Sequence, residues 1–151
     1  MNHKKMMMGI VGLAGIGVLD TAYLTYDHYS ESDSFCNLLE GCDLVTSSVY
    51  NNLFGVPLAL LGLFYYLLVT ALAIYLYRQG VFGQILPVLT SLTAFGLAFS
   101  VYLTYLQYAV IGAWCQYCLL SAVLAVLLFA LTFYLWLVNR RVLNKSADLL
   151  Q

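Results

Sequence analysis

The chain has 151 residues, of which 63% are hydrophobic and 9% are charged, and its formal net charge is −1. A domain of this composition has too few polar side chains to cover a water-facing surface, so lipid must cover much of it. The composition excludes a water-soluble globular domain, and the nearly neutral charge gives no indication of nucleic-acid binding.

Four apolar segments are long enough to cross the hydrocarbon, which takes roughly 20 residues. They cover about residues 6–26, 54–77, 82–108 and 114–138. The first segment follows two lysines, as a secretory signal does, but it is long and no convincing small-residue cleavage site follows it, so we expect it to be retained. The predicted fold is an all-α membrane protein, in which one domain over residues 1–151 forms a bundle of four transmembrane helices.

The basic residues predict the orientation of this bundle. They precede the first span, lie between the second and third, or follow the fourth: Lys4, Lys5, Arg78, Arg140, Arg141 and Lys145. The only long loop, about residues 27–53, carries five acidic residues and no Lys or Arg. Because cytoplasmic segments are enriched in Lys and Arg, both termini are predicted to be cytoplasmic and the loop to face outside.

A short motif recurs in the first and third spans. The sequence Tyr-Leu-Thr-Tyr at 23–26 is found again at 102–105, and the same offset relates Gly17 to Gly96 and Cys36 to Cys115. The repeat indicates two hairpins related by an axis along the membrane normal. Aromatic residues are also common wherever helices cross a membrane interface, which explains the tyrosines equally well.

All four cysteines fall on the predicted outer side. Cys36 and Cys42 are in the long loop, whereas Cys115 and Cys118 open the last span. Residues three apart share a helix face, so the thiols of Cys115 and Cys118 can form a disulfide or be attacked in turn. The start of a helix also favours the thiolate, which is the reactive form of cysteine.

Other roles for the cysteines fit less well. A zinc site needs a closed tetrahedral cluster, whereas the loop spacing suits a disulfide and neither pair has a neighbouring His, so no metal site is predicted. Structural disulfides are expected on an oxidising face, and four cysteines allow three pairings. A Cys-x-x-Cys bridge closes a very small loop, which stabilises a fold least. The pattern therefore favours thiol exchange. A mobile loop pair, Cys36 and Cys42, would pass electrons to a fixed helix pair, Cys115 and Cys118, and then to a lipid-soluble acceptor such as a quinone.

The segments around the cysteines resemble those of the vitamin K epoxide reductase family and its prokaryotic homologues. The shared residues are Tyr23-Leu24-Thr25, Cys36, Gly41-Cys42-Asp43, Ser48, Leu53-Phe54-Gly55-Val56-Pro57 and Cys115-Gln116-Tyr117-Cys118. The order of the pairs differs from that of the disulfide-bond formation protein B family, another four-helix quinone-linked family, which carries its Cys-x-x-Cys in the first outer loop.

The resemblance implies a role for each cysteine. Cys118 is expected to face the quinone, and Cys115 is expected to be its partner and to exchange with Cys42. Cys36 is expected to pair with Cys42 and to take electrons from a thioredoxin-fold protein on the outer face. The implied function is a membrane thiol oxidoreductase that supports disulfide-bond formation.

The resemblance also implies a quinone site of the ubiquinone, menaquinone or vitamin K type, with Ser48, Asn51 and Phe54 as contacts. Vertebrate members have a longer loop and a Tyr where this chain has Ala122. The chain is therefore expected to be of the prokaryotic type, without a fused thioredoxin-like domain, in the cytoplasmic membrane with its cysteines outside. Two alternatives stay open: reduction of a vitamin K quinone or epoxide, and a membrane scaffold with structural disulfides.

Overall fold

The computed structural model describes residues 3–30, 52–53, 56–80 and 82–148. The helices are α1 (His3–Ser30), α2 (Leu58–Gln79), α3 (Phe82–Leu106) and α4 (Gln116–Asp148), and two short strands, β1 (Asn52–Leu53) and β2 (Val56–Pro57), precede α2. A π-helical turn, Gln107–Ile111, continues α3. Five predicted site residues lie outside the described residues: Cys36, Cys42, Ser48, Asn51 and Phe54.

Each of the four helices carries a segment that is long and apolar enough to cross a membrane. These segments are His3–Asp27, Leu58–Gln79, Ile85–Ile111 and Gln116–Val142. Helix α1 packs against α2 and α4, and α3 packs against α4 and α2. The prediction of an all-α membrane protein with four transmembrane helices is confirmed.

The second helix begins later than predicted. Residues 56–57, assigned to the span 54–77, form a strand in which Val56 pairs with Leu53 and Pro57 with Asn52. Pro57 has ψ 136°, an extended conformation, and the helix starts at the next residue, Leu58. The other predicted bounds differ by a few residues, because α1 continues to Ser30, the π-helical turn replaces the end of the third span, and α4 begins at Gln116.

All four helices contribute to one apolar core. Its buried members are Met7, Ile10, Ala14, Tyr66, Val69, Ala73, Leu76, Leu86, Leu89, Leu124, Leu128 and Leu135. Large apolar side chains also lie on the outer surface, for example Leu19 at 72% and Phe95 at 68% exposure. Extended apolar surface of this kind is typical of a protein that lipid surrounds.

The basic end of the bundle is opposite the cysteines of α4. Lys4 lies 5.9 Å from the ring centroid of Tyr77 at the end of α2, and Arg140 lies 4.9 Å from the ring of Trp136 in the second half of α4. Because neighbouring helices run antiparallel, the start of α4 lies at the other end of the bundle.

Candidate active site

The link between α3 and α4 is organised by Gln107. Gly112 has φ 68°, a left-handed conformation that costs glycine little, and its N–H donates to the Gln107 carbonyl. The N–H of Ala113 donates to the same carbonyl at 3.3 Å. The Gln107 side chain is buried, and its oxygen accepts the N–H of Cys115 at 3.3 Å. The backbone carbonyl of Gln107 thus stabilises the turn, and its side chain binds the backbone N–H of Cys115.

We expect Gln107→Leu to lower the free energy of unfolding by about 1–3 kcal/mol, because the buried N–H of Cys115 loses its acceptor. Disulfide exchange at Cys115 should slow as well, since the link no longer fixes the sulfur. Unfolding in mixed detergent micelles and the rate of exchange with a small disulfide measure the two effects. Thr104→Val is the control, because that hydroxyl binds only a carbonyl of its own helix. Equal stability of both variants would contradict this role of Gln107.

Cys115 is the N-cap of α4. Its carbonyl accepts the N–H of Leu119 at 3.0 Å, which is the first backbone hydrogen bond of the helix. Its Sγ accepts the N–H of Cys118 at 3.3 Å, where a side-chain oxygen usually caps a helix. Both cysteines are free thiols; Cys115 is fully buried and Cys118 is half-buried.

Hydrogen bonding at the helix start lowers the pKa of the Cys115 thiol. The largest cause is the hydrogen bond from the Cys118 side chain, which burial opposes; the backbone N–H groups of Cys118 and Tyr117 add to the lowering, and the Asp20 carboxylate acts against it. A lower pKa raises the thiolate fraction and makes the sulfur a better leaving group. Cys115 is therefore suited to exchange with another thiol.

Polar side chains from α1, α2 and α4 meet inside the bundle, about one helical turn along α4 from Cys118. The Tyr66 hydroxyl of α2 donates to the Ser121 carbonyl of α4 at 3.0 Å and lies 3.0 Å from the Ser121 hydroxyl. Asp20 of α1 is buried and interacts electrostatically with Tyr66 and with both thiols. We call Asp20, Tyr66 and Ser121 the interhelical cluster.

The interhelical cluster was not predicted from the sequence. One signal for it was present, because Asp20 is the only acidic residue within the four predicted spans. Ionisable residues inside membrane helices are rare and generally mark functional sites. Tyr66 and Ser121 carried no comparable signal, since tyrosine and serine are ordinary in such helices.

Glycines on α1 and α3 give room to two tyrosines of α2. A methyl group at Gly17 would overlap the ring of Tyr66, and one at Gly96 would overlap the hydroxyl end of Tyr65. The two rings contact each other edge to face, with centroids 5.1 Å apart. Gly17 and Gly96, which the sequence repeat relates, thus both face α2, and Gly17 fixes the position of Tyr66 in the interhelical cluster.

An apolar groove of about 720 Å³ runs between α3 and α4, and its lining includes residues adjacent in sequence to the two cysteines. Its lining includes Tyr105, Tyr108, Trp114, Leu119 and Ala122. Leu119 follows Cys118 directly in the sequence, and Ala122 follows one helical turn later. Neither cysteine lines the groove, and several of its lining side chains, such as Tyr105 and Tyr108, are exposed on the outer surface of the bundle.

The structure describes two of the predicted site residues, Cys115 and Cys118, and places them three residues apart at one helix start. The roles of the loop cysteines and of the three predicted quinone contacts in the loop stay predictions.

Comparison with known proteins identifies a family and a relative. The model of the vitamin K epoxide reductase family matches residues 8–133, a range that includes all four cysteines and Asp20. The chain is also 40% identical over 122 residues to the thiol-disulfide oxidoreductase LTO1 of Arabidopsis thaliana. That alignment covers 76% of this chain and 32% of the plant protein, so the chain spans about a third of its relative.

Proposed function

The chain belongs to the vitamin K epoxide reductase family, and we propose from this that it is a membrane thiol oxidoreductase that supports disulfide-bond formation. Electrons pass from a thioredoxin-fold protein through Cys36 and Cys42 to Cys115 and Cys118, and then to a quinone. The observation that carries the proposal is the cysteine pair at the start of α4, in which Cys115 is buried, caps the helix and has a lowered pKa.

The transfer between the two pairs is a thiol–disulfide exchange. The Cys42 thiolate attacks the Sγ of Cys115 in the Cys115–Cys118 disulfide, so a Cys42–Cys115 bond forms and Cys118 leaves as a thiolate. Cys36 then attacks Cys42, the Cys36–Cys42 disulfide forms, and Cys115 leaves. The lowered pKa of Cys115 supports this last step, because a more acidic thiol leaves faster. Two electrons and two protons move from the loop pair to the helix pair.

The described residues near Cys118 fit a lipid-soluble quinone. The groove beside Leu119 is apolar, and the interhelical cluster supplies polar atoms inside the bundle. A bound quinone supplies an acceptor for two electrons and two protons. Cys118 faces it in this proposal, and the expected contacts from the loop are Ser48, Asn51 and Phe54. The quinone class is ubiquinone, menaquinone or vitamin K.

We further propose that residues 1–151 form one domain in a prokaryotic cytoplasmic membrane, with both termini cytoplasmic and the cysteines outside. The family match over residues 8–133 supports the single domain. The basic end of the bundle, opposite the cysteines of α4, supports the orientation, because Lys and Arg are enriched on the cytoplasmic side.

We expect Cys36→Ala to distinguish two electron donors. A small dithiol reduces the Cys115–Cys118 disulfide directly, so quinone reduction with dithiothreitol should change by less than about twofold, whereas reduction by a thioredoxin-fold protein should fall by about tenfold or more. Quinol formation, followed by absorbance, measures both rates. Ser34→Ala in the same loop should leave both unchanged. If the protein donor drives Cys36→Ala as fast as the wild type, the loop pair is not the entry point.

A further inference from the structure

Asp20 differs from the other buried polar side chains of the described residues, which are Thr21, Thr90, Thr93, Gln107 and Thr132. The four threonines and Gln107 all make hydrogen bonds. Both carboxyl oxygens of Asp20 are buried without a hydrogen-bond partner among the described residues, and only 7% of the side chain is exposed.

A carboxyl group in this position is costly as a structural element. Burial of an unpaired carboxylate in an apolar interior costs free energy, and an apolar residue of similar size would stabilise the helix packing more. Acids within membrane helices that face the interior of a bundle commonly belong to substrate or ion pathways or to proton relays. The burial of Asp20 therefore points to a functional role rather than to packing.

The neighbours of Asp20 place it at the level of the thiols. Gly17, one turn before it, contacts the ring of Tyr66 on α2. Tyr23, one turn after it, has its ring centroid 5.0 Å from that of Tyr117, which lies between the two cysteines in sequence. Asp20 thus lies along α1 between the Tyr66–Ser121 contact and the cysteine pair.

The titratable groups around Asp20 come from the two helices that pack on α1. Helix α2 contributes Tyr66 and, beside it, Tyr65, whose buried hydroxyl also has no hydrogen-bond partner among the described residues. The start of α4 contributes Cys115, Tyr117 and Cys118. Electrostatic interaction links Asp20 to Tyr66 and to both thiols.

We propose that the Asp20 carboxylate is the proton carrier of the cysteine pair Cys115 and Cys118, and that it takes the proton of the Cys118 thiol when this pair is oxidised. This inference rests on the proposed function. Oxidation breaks two S–H bonds, forms the Cys115–Cys118 bond and gives two electrons to the quinone. Asp20 passes the Cys118 proton to one quinone oxygen and becomes a carboxylate again. The Cys115 proton goes to water at the outer end, and a proton from that water completes the quinol.

The test variant is Asp20→Asn, which keeps the size of the side chain but cannot carry a proton. We expect quinone reduction to fall by about 100-fold, the usual contribution of a positioned acid or base. In reduced, quinone-free protein, mass-tag alkylation of Cys118 should shift to lower pH, because a negative charge near the thiolate has been removed. Exposure of Cys118 by a folding defect would also ease thiolate formation, so Asp20→Asn is compared with the wild type only if it unfolds in mixed micelles at a denaturant concentration no lower than the wild type.

The matched control is Thr21→Val, which removes a buried hydroxyl one residue further along α1 while keeping its shape. It should change neither the turnover nor the alkylation profile. Unchanged turnover in Asp20→Asn would overturn the proposal. So would a slower turnover with an alkylation profile that matches the wild type or shifts to higher pH, because that result assigns Asp20 a structural role.

Infrared difference spectroscopy of the wild type tests the proposal even if Asp20→Asn does not fold. The helix pair is cycled with a chemical reductant and oxidant, without quinone, in protein whose aspartates carry ¹³C carboxyl groups. We expect an aspartate carboxyl band that changes between the two states and shifts in D₂O, and that is lost in Asp20→Glu, in which the other four aspartates remain. A spectrum without such a band would overturn the proposal. Because no quinone takes part, failure of the wild type to reduce quinone would count against the proposed function alone.

Discussion

Cys118→Ala is expected to abolish quinone reduction by the purified protein, with a fall of about 1,000-fold or more, as for the loss of a reacting group in an enzyme. In the proposed mechanism Cys118 is the thiol that faces the quinone, and without it the Cys115–Cys118 disulfide cannot form, so the two electrons do not reach the acceptor. Quinol formation driven by dithiothreitol measures the rate. Leu120→Ala, a change at a lipid-facing position two residues away, should leave it unchanged.

Full activity of Cys118→Ala would contradict the proposed mechanism.

Mass-tag alkylation of all four cysteines, with and without quinone, tests the remaining alternative of a membrane scaffold. A scaffold with structural disulfides keeps its cysteines oxidised under gentle reductant and does not respond to quinone. Product analysis with a naphthoquinone epoxide separates thiol oxidation from epoxide reduction, for which Ala122 is an unfavourable residue.

Gly17→Ala is expected to lower the free energy of unfolding by about 1–3 kcal/mol or more, which is the usual cost of overpacking a core. The added methyl group would overlap the ring of Tyr66, including the ring carbon nearest the backbone. The ring cannot move aside without breaking its hydrogen bond to Ser121 and its contact with Tyr65. Reversible unfolding in mixed micelles measures the effect.

Two other glycines serve as controls for Gly17→Ala. Gly12→Ala, on the same helix, meets no atom within 4 Å, and it should be neutral or slightly stabilising because alanine favours the helix. Gly96→Ala should cost less than Gly17→Ala, because the methyl group there meets the hydroxyl end of Tyr65, the mobile end of the side chain. A double variant, Gly17→Ala with Tyr66→Leu, should recover part of the loss. Equal stability of the Gly12 and Gly17 variants would contradict the close packing of Tyr66.

The four membrane helices could be predicted from the sequence because lipid imposes a simple rule on length and hydropathy. The position of the cysteine pair at the start of the last helix followed from the same rule. The predicted start of α2 was wrong by four residues, because Val56 and Pro57 continue the apolar run but pair with Leu53 and Asn52 as strands. Hydropathy alone does not distinguish a short apolar strand from a helical turn.

The hydrogen bonding around Cys115 and Cys118 could not be predicted from the sequence. The sequence predicted a thiolate near a helix end, but it did not show that the sulfur of Cys115 is itself the cap. The lack of a hydrogen-bond partner for Asp20 among the described residues is also a property of packing, since it depends on which side chains of α2 and α4 reach this part of α1. Contacts between distant segments leave no periodic pattern in a single sequence.

The capping bond between Cys115 and Cys118 uses the same sulfur atom for helix order and for redox chemistry. In the dithiol state the sulfur of Cys115 holds the first turn of α4 through the N–H of Cys118, and in the disulfide state a covalent bond joins the same two residues. A helix cap is usually worth about 1 kcal/mol. The start of the last helix therefore keeps a restraint in both redox states.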